Sequence, residues 1–337
     1  MLIIRPLAYP DLPALERLAI VSGGSMTTLP ANRDHLNELI MRTQNSMRKA
    51  VEQHHDESYH FVMEDTEHGE IVGVCGIDAS VGLNGPFYSY RMEEVVHASS
   101  ELQIHNRVPA LHLCQDYTGS ARLCTLFLDG EHRNETNLQL LSRSRLLFIA
   151  QHRQRFANRL IAELQGVADE QNRSPFWESL GSHFFSMDFT KANYLTGINS
   201  KGFIADLMPH YPVYVPLLSQ EAQHALGQPR PDMAPVKALL EREGFVYRNY
   251  VDIFDAGPTL ESRVDALHSI TTSQLCTPAI TTQRDATALQ QVLVANTETA
   301  AFRCILTELD PAQPTLLQAE ADALQLTPGA AVRLVAV

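Results

Sequence analysis

The chain has 337 residues, 45% of them hydrophobic and 19% charged, with a formal net charge of −13. That length leaves room for a sizeable core and for two domains. The acidic balance argues against a non-specific nucleic-acid or membrane-surface binder, which draws on basic patches.

In chain order, Leu2 to Ile4 reads as a strand rather than a signal peptide. Asp11 is placed to cap a helix whose apolar face carries Leu12, Leu15 and Leu18. The run Ser22 to Asn32 reads as a loop, and Asn32 caps a second helix with Leu36, Leu39, Ile40 and Met47 on one face. Tyr59–Met63 and Ile71–Ile77 form a hairpin turning at Gly69. The segment from Gly82 to Arg91 is too rich in glycine and aromatics for a plain strand and is expected to line something. Ala110–Cys114 is a further strand candidate. Five cysteines (Cys75, Cys114, Cys124, Cys276 and Cys304) lack C-x-x-C spacing and read as free thiols of a reducing compartment. No apolar run approaches the ~20 residues of a membrane span, so a cytoplasmic location is expected.

The most informative stretch runs from Leu123 to Gln165. An apolar run, Leu123–Leu128, is followed by a polar loop. A long apolar-periodic segment from Leu138 to about Phe156 comes next, then a second apolar run, Arg159–Leu164. This is a βαβ layout. The loop Asp129–Asn137 lies at the mouth of the helix. Backbone amides and the positive end of the helix dipole can hold an anion there. Downstream, Ser174 and Pro175 open a helix through Trp177 and Leu180. Pro235 and Gly244 bracket another, and a strand spans Val246–Phe254. Beyond the break at Ala256-Gly-Pro-Thr aromatics nearly vanish and short apolar runs appear. Residues 262–337 are expected to form a small β-rich domain, with a barrel as one possibility.

Several of these segments carry a resemblance: SMTTLPAN (25–32), GLNGPFYSYR (82–91), DYTGS (116–120), LCTLFLD (123–129), SPFWESLGSHFFSMDF (174–189), DLMPHYP (206–212) and EGFVYRNYVDIFDAGPTL (243–260). In this order the chain resembles the arginine N-succinyltransferase family. The resemblance implies an α/β (α+β) fold: a GNAT-like acyl-CoA N-acyltransferase domain over 1–260, and a small β-barrel-like domain over 261–337. It implies transfer of a succinyl group from the co-substrate succinyl-CoA to the α-amine of L-arginine, the first step of arginine catabolism by the succinyltransferase pathway. It also implies a homo-oligomer or a paralogous subunit as partner.

The resemblance assigns succinyl-CoA binding to Leu126, with Phe127 and Leu128 beside it. The phosphate loop corresponds to Arg133, Asn134 and Thr136. The family's two loop glycines are replaced here by Thr136 and Leu138, and Arg230 stands where the family has its presumed proton-donating histidine. A guanidinium is a poor proton donor; it suits a developing thiolate or a carboxylate. His224 is nearby but expected to face solvent. Asp252 and Asp255 are candidates to grip the substrate guanidinium, and Glu163 is a candidate base acting through water. Acyl transfer to an amine proceeds by direct attack in this class, so no cysteine nucleophile is required, and no histidine spacing suggests a metal. Two rival readings stand beside this one: a non-catalytic or regulatory subunit of a heteromeric arginine/ornithine succinyltransferase, motivated by the replaced glycines and histidine, and a relative using another acyl-CoA or amine.

Overall fold

A computed structural model describes residues 1–23, 26–198, 206–284 and 288–337. Gly24 and Ser25, within the expected Ser22–Asn32 loop and the 25–32 motif, lie outside the described residues. The strands are β1 (Leu2–Pro6), β2 (Ser58–Asp65), β3 (Glu70–Asp78), β4 (Ser89–Ser99), β5 (Ile104–Cys114), β6 (Ala121–Leu128), β7 (Arg159–Glu163) and β8 (Val213–Tyr214). They continue with β9 (Val246–Val251), β10 (Pro258–Arg263), β11 (Gln274–Cys276), β12 (Ala279–Thr281), β13 (Gln290–Asn296), β14 (Cys304–Leu309), β15 (Thr315–Leu317) and β16 (Val332–Ala336). Fourteen of them form one mixed sheet in the order β11-β16-β13-β14-β1-β2-β3-β6-β7-β10-β9-β4-β5-β8; β12 and β15 pair separately.

The expected barrel over 261–337 is not found: no sheet closes among the described residues. β14 instead pairs with β1 through Ile4 and Cys304, so the C-terminal strands extend the N-terminal sheet. The strand expected to end at Phe254 stops at Val251, because Asp252 turns the chain by accepting from the amides of Phe254 (2.7 Å) and Asp255 (3.1 Å). β4 and β5 form an eleven-residue hairpin arm where only Ala110–Cys114 was expected. Asp11 does not cap the first helix, α1 (Leu12–Val21); it is drawn back to Arg5 and the Ala8 amide. Asn32 does cap the second, α2 (Arg33–Arg48), accepting from the His35 amide at 3.0 Å.

The long helix α3 (Glu135–Gln151) ends sooner than expected, and a short 3-10 turn, Arg153–Arg155, carries the chain to β7. Nearly every residue of α3 from Asn137 to Ile149 is buried, because β3 and β6 lie against it on one side and β13, β14 and β16 on another. A helix enclosed on all sides shows little amphipathicity. Phe148 on α3 packs edge-on against Phe61 (centroids 5.1 Å) and Phe302 (5.0 Å), joining the β14 end of the sheet to its centre. Such aromatic contacts contribute roughly 0.5–1.5 kcal/mol beyond their buried area.

Candidate active site

The site follows from how β6 leaves its neighbours. β6 and β7 run parallel and pair only through Ala121–Leu160, Arg122–Ile161 and Leu123–Ala162. Past Leu123 the two strands part. On its other edge β6 loses register with β3 over the same residues: Gly76 faces Cys124 and Val74 faces Phe127, so Cys75 alone opposes Thr125 and Leu126. This is a β-bulge, and Thr125 has φ +53°. A β-branched residue in that region is strained by about 1–3 kcal/mol.

A cavity of about 770 Å³ opens where the strands part. Cys124 to Phe127 line it from β6, and Ala162, Glu163, Leu164 and Gln165 from β7 and its exit. The glycine- and aromatic-rich segment supplies Gly82 to Phe87, as its composition suggested. Asp252, Phe254 and Asp255 line it as well, as do Arg133, Arg230 and Asp232.

The sequence-derived candidates fall into two groups. Leu126, Phe127, Arg133, Glu163, Arg230, Asp252 and Asp255 all line the cavity; Leu128, Asn134 and Thr136 do not. Leu128 is buried in the main core. Asn134, not Thr136, caps α3, its Oδ1 accepting from the Asn137 amide at 2.9 Å. The first intrahelical bond runs from the Leu138 amide to the Asn134 carbonyl, so the amides of Glu135 and Thr136 precede it at the positive end of the helix dipole. Thr136 is exposed, and Leu138 turns its side chain into the core rather than across the loop. The Arg133 guanidinium sits over the Phe127 ring (5.8 Å) and 3.9 Å from Asp232. Arg230 is gripped bidentately by Asp232, with Nε to Oδ1 2.6 Å and Nη2 to Oδ2 2.9 Å, while its amide donates to the Gln165 carbonyl at 2.8 Å. His224 is exposed.

The acidic side is differently built. The Asp255 oxygens accept from the amides of Gly166 and Gly257, each at 2.8 Å, tying the exit of β7 to the start of β10. A side chain on either glycine would collide with that backbone. Asp252 directs Oδ1 to its own turn, and among the described residues Oδ2 accepts no hydrogen bond. Burial, then the nearby Asp255 and Glu163 carboxylates, push the Asp252 carboxyl up to about 8. Burial raises Asp255 as well.

Four residues of the site went unrecognised in the sequence. Arg122 bridges Asp78 (Nη2 to Oδ2 2.7 Å) and Glu163 (Nη1 to Oε2 3.1 Å) across three strands. Burial works against the Asp78 carboxylate, but Arg122 outweighs it and holds the group at about 2. Burial pushes the His60 imidazole down to about 4, so it is neutral; its Nε2 lies 3.2 Å from Thr125 Oγ1. Arg145 lies at the cavity floor. The available signal was a charged or polar residue inside an otherwise apolar run. All five cysteines are free, and burial raises the Cys124 thiol to about 12, which leaves it protonated and unsuited to nucleophilic attack. Among the described residues no cluster of His, Cys, Asp and Glu could hold a metal, and no helix is long and apolar enough to cross a membrane.

Comparison with known proteins agrees along the whole chain. The family described as arginine N-succinyltransferase beta subunit matches residues 2–269, and its C-terminal domain matches 277–336. Proteins named arginine N-succinyltransferase from Escherichia coli and Escherichia fergusonii are each 47% identical, covering 99% of this chain and 97% of theirs. The solved structure of arginine/ornithine succinyltransferase subunit AI from Pseudomonas aeruginosa superposes with a TM-score of 0.92 at 39% identity, covering 100% of this chain and 98% of that one. The chain belongs to the arginine N-succinyltransferase family.

Proposed function

We propose that this chain is an N-acyltransferase that moves the succinyl group of succinyl-CoA onto the α-amine of L-arginine, the opening step of arginine catabolism by the succinyltransferase pathway, in the cytoplasm. The observation that carries this reading is the gap between β6 and β7, which opens between the start of α3 with Arg133 beside it and the half-buried Asp252 carboxylate. The same parted pair of strands supports a GNAT-like description of residues 1–260, with 261–337 as a second unit added to its sheet.

In this reading the amides at the start of α3 and Arg133 hold the diphosphate, and the backbone of Thr125 and Leu126 receives the pantetheine arm. Asp252 Oδ2 grips the arginine guanidinium. The neutral α-amine attacks the thioester carbonyl directly, forming the C–N bond, and the C–S bond then breaks. The amine proton passes through water to Glu163. The Arg230 guanidinium, already fixed by Asp232, stabilises the departing thiolate by charge rather than by donating a proton. The rival reading as a non-catalytic subunit draws on replaced loop glycines. That argument weakens where Leu138 packs inward and Thr136 lies outside the cavity.

Purified protein given succinyl-CoA and L-arginine is expected to release free thiol and to form a product heavier than arginine by one succinyl group. No release with any basic amino acid overturns the proposal.

A further inference from the structure

Arg145 is a guanidinium with 2% of its surface exposed, in the middle of α3, and among the described residues it pairs with no carboxylate. Burying an unpaired charge is costly, and such groups persist where their hydrogen bonds are fully used. Arg145 spends its donors on neutral acceptors. Nε reaches the Ser142 carbonyl (3.1 Å) and Nη2 the Ser142 hydroxyl (2.9 Å), which fix the fork on its own helix. Nη1 then spans two strands, to the carbonyls of Gly76 (3.4 Å) on β3 and Cys124 (3.3 Å) on β6.

Those two carbonyls belong to the register pair that immediately precedes the bulge. The next residues, Thr125 and Leu126, have lost β7 on one edge and regular pairing with β3 on the other, yet they face the cavity. A strand released on both edges is free to slip or flatten. Two side chains oppose this. His60 holds the Thr125 hydroxyl, and Gly76 leaves room for its ring, since a Cβ there would lie 2.4 Å from Nε2. Arg145 clips the backbone itself.

We propose that Arg145 is a positioning residue for the acyl donor: its guanidinium, fastened across Gly76 and Cys124, holds the bulged part of β6 in the shape that presents its backbone to the pantetheine arm. This rests on the acyl-CoA reading of the cavity. It assigns Arg145 a role in donor affinity and none in contact with arginine.

The test uses the full chain with Arg145→Met, which removes charge and fork, and Arg145→Lys, which keeps the charge but cannot span both carbonyls. Loss of charge-assisted hydrogen bonds behind the site predicts about a tenfold or greater rise in the KM for succinyl-CoA and in the Kd for free CoA by calorimetry in Arg145→Met. The KM for arginine stays within about twofold, because Asp252 and its turn do not touch Arg145. Arg145→Lys recovers part of the donor affinity. If Arg145→Met fails to fold, Ser142→Ala, which frees one arm of the fork, is expected to show the same split at a smaller size. CoA affinity within twofold of the parent chain in the folded variants overturns the inference, as does a parallel rise in both KM values. A parent chain that releases no thiol overturns the acyl-transfer reading instead, so the two failures are distinguishable.

Discussion

Asp252→Asn isolates the proposed substrate grip. Asparagine keeps an Oδ1 to accept from the Phe254 and Asp255 amides, so the turn survives while the carboxylate is lost. A hydrogen bond to a charged group contributes about 1.5–3 kcal/mol, so the KM for arginine is expected to rise roughly 10- to 150-fold. The pH profile is more specific. The Asp252 carboxyl is pushed up to about 8, chiefly by burial. Below that pH it carries a proton and cannot pair with a guanidinium, so arginine affinity is fully present above about 8 and weakens about tenfold per pH unit below it. The substrate α-amine must also be neutral, and both forms share that part of the profile. The ratio of variant to parent KM therefore reports Asp252, shrinking as pH falls from 9 to 6.5. Stability moves oppositely. The unfolded carboxyl ionises near 3.8 while the folded one keeps its proton to about 8, so the parent chain loses stability as pH rises across that window. The asparagine variant is expected to melt higher than the parent at pH 9, with the gap closing toward pH 4. Thiol release across pH 6.5–9 and melting curves check both. A constant KM ratio, or equal melting temperatures at pH 9, refutes the assignment.

Replacing Arg230 with His is expected to introduce an alkaline loss of kcat that the parent lacks, since an imidazole surrenders its charge near 6.5 and a guanidinium does not; an unchanged profile argues against a role for the cation. Arg133→Ala is expected to weaken CoA binding by about three- to tenfold at low salt and less at high salt, as suits a partly exposed phosphate contact; calorimetry at two ionic strengths reads this. Phe302→Ala removes the ring that packs on both Phe61 and Phe148 and is expected to cost about 3–5 kcal/mol, lowering the melting of the whole chain in one transition. A separate melting of the C-terminal segment speaks against the shared sheet.

The elements that were legible in the sequence are those specified locally. Asn32 before an apolar-periodic run caps its helix, and Gly69 at positive φ makes a hairpin turn. The βαβ unit from Leu123 to Leu164 was visible because β6 and β7 each hold an apolar run, Leu126–Leu128 and Leu160–Ala162, on either side of a long apolar-periodic segment. The pairing of β14 with β1 joins residues 304 and 4, and no local pattern encodes a contact at that separation. Three short apolar runs without their partner invite closure into a barrel. The β4–β5 arm escaped notice because its outer part, Glu93–Ala98 and Ile104–Arg107, is largely exposed, so it lacks the alternation that marks a half-buried strand. At the site, Arg133 announced itself by its position before a helix. Arg122 and Asp78 did not, since their meaning lies in a bridge across β3, β6 and β7.

The distribution of charge explains how an acidic chain handles an anionic donor. The cavity lining carries charges of both signs. The loop after β6 carries Arg133, followed by the first amides of α3; Glu163, Asp252 and Asp255 line the cavity around the exit of β7, where Arg230 also enters through its bond to Gln165. Asp232 sits between Arg133 and Arg230 and draws both toward the rim, where a diphosphate would replace or share its role. Succinyl-CoA is anionic and arginine is cationic at its distal end, so in the proposed reading Arg133 and the first amides of α3 complement the donor and Asp252 complements arginine. Between these groups the cavity is lined by a neutral imidazole, His60, and a protonated thiol, Cys124. A net charge of −13 is compatible with this arrangement, because the field that decides donor binding is set within a Debye length by a few fixed groups rather than by the whole surface.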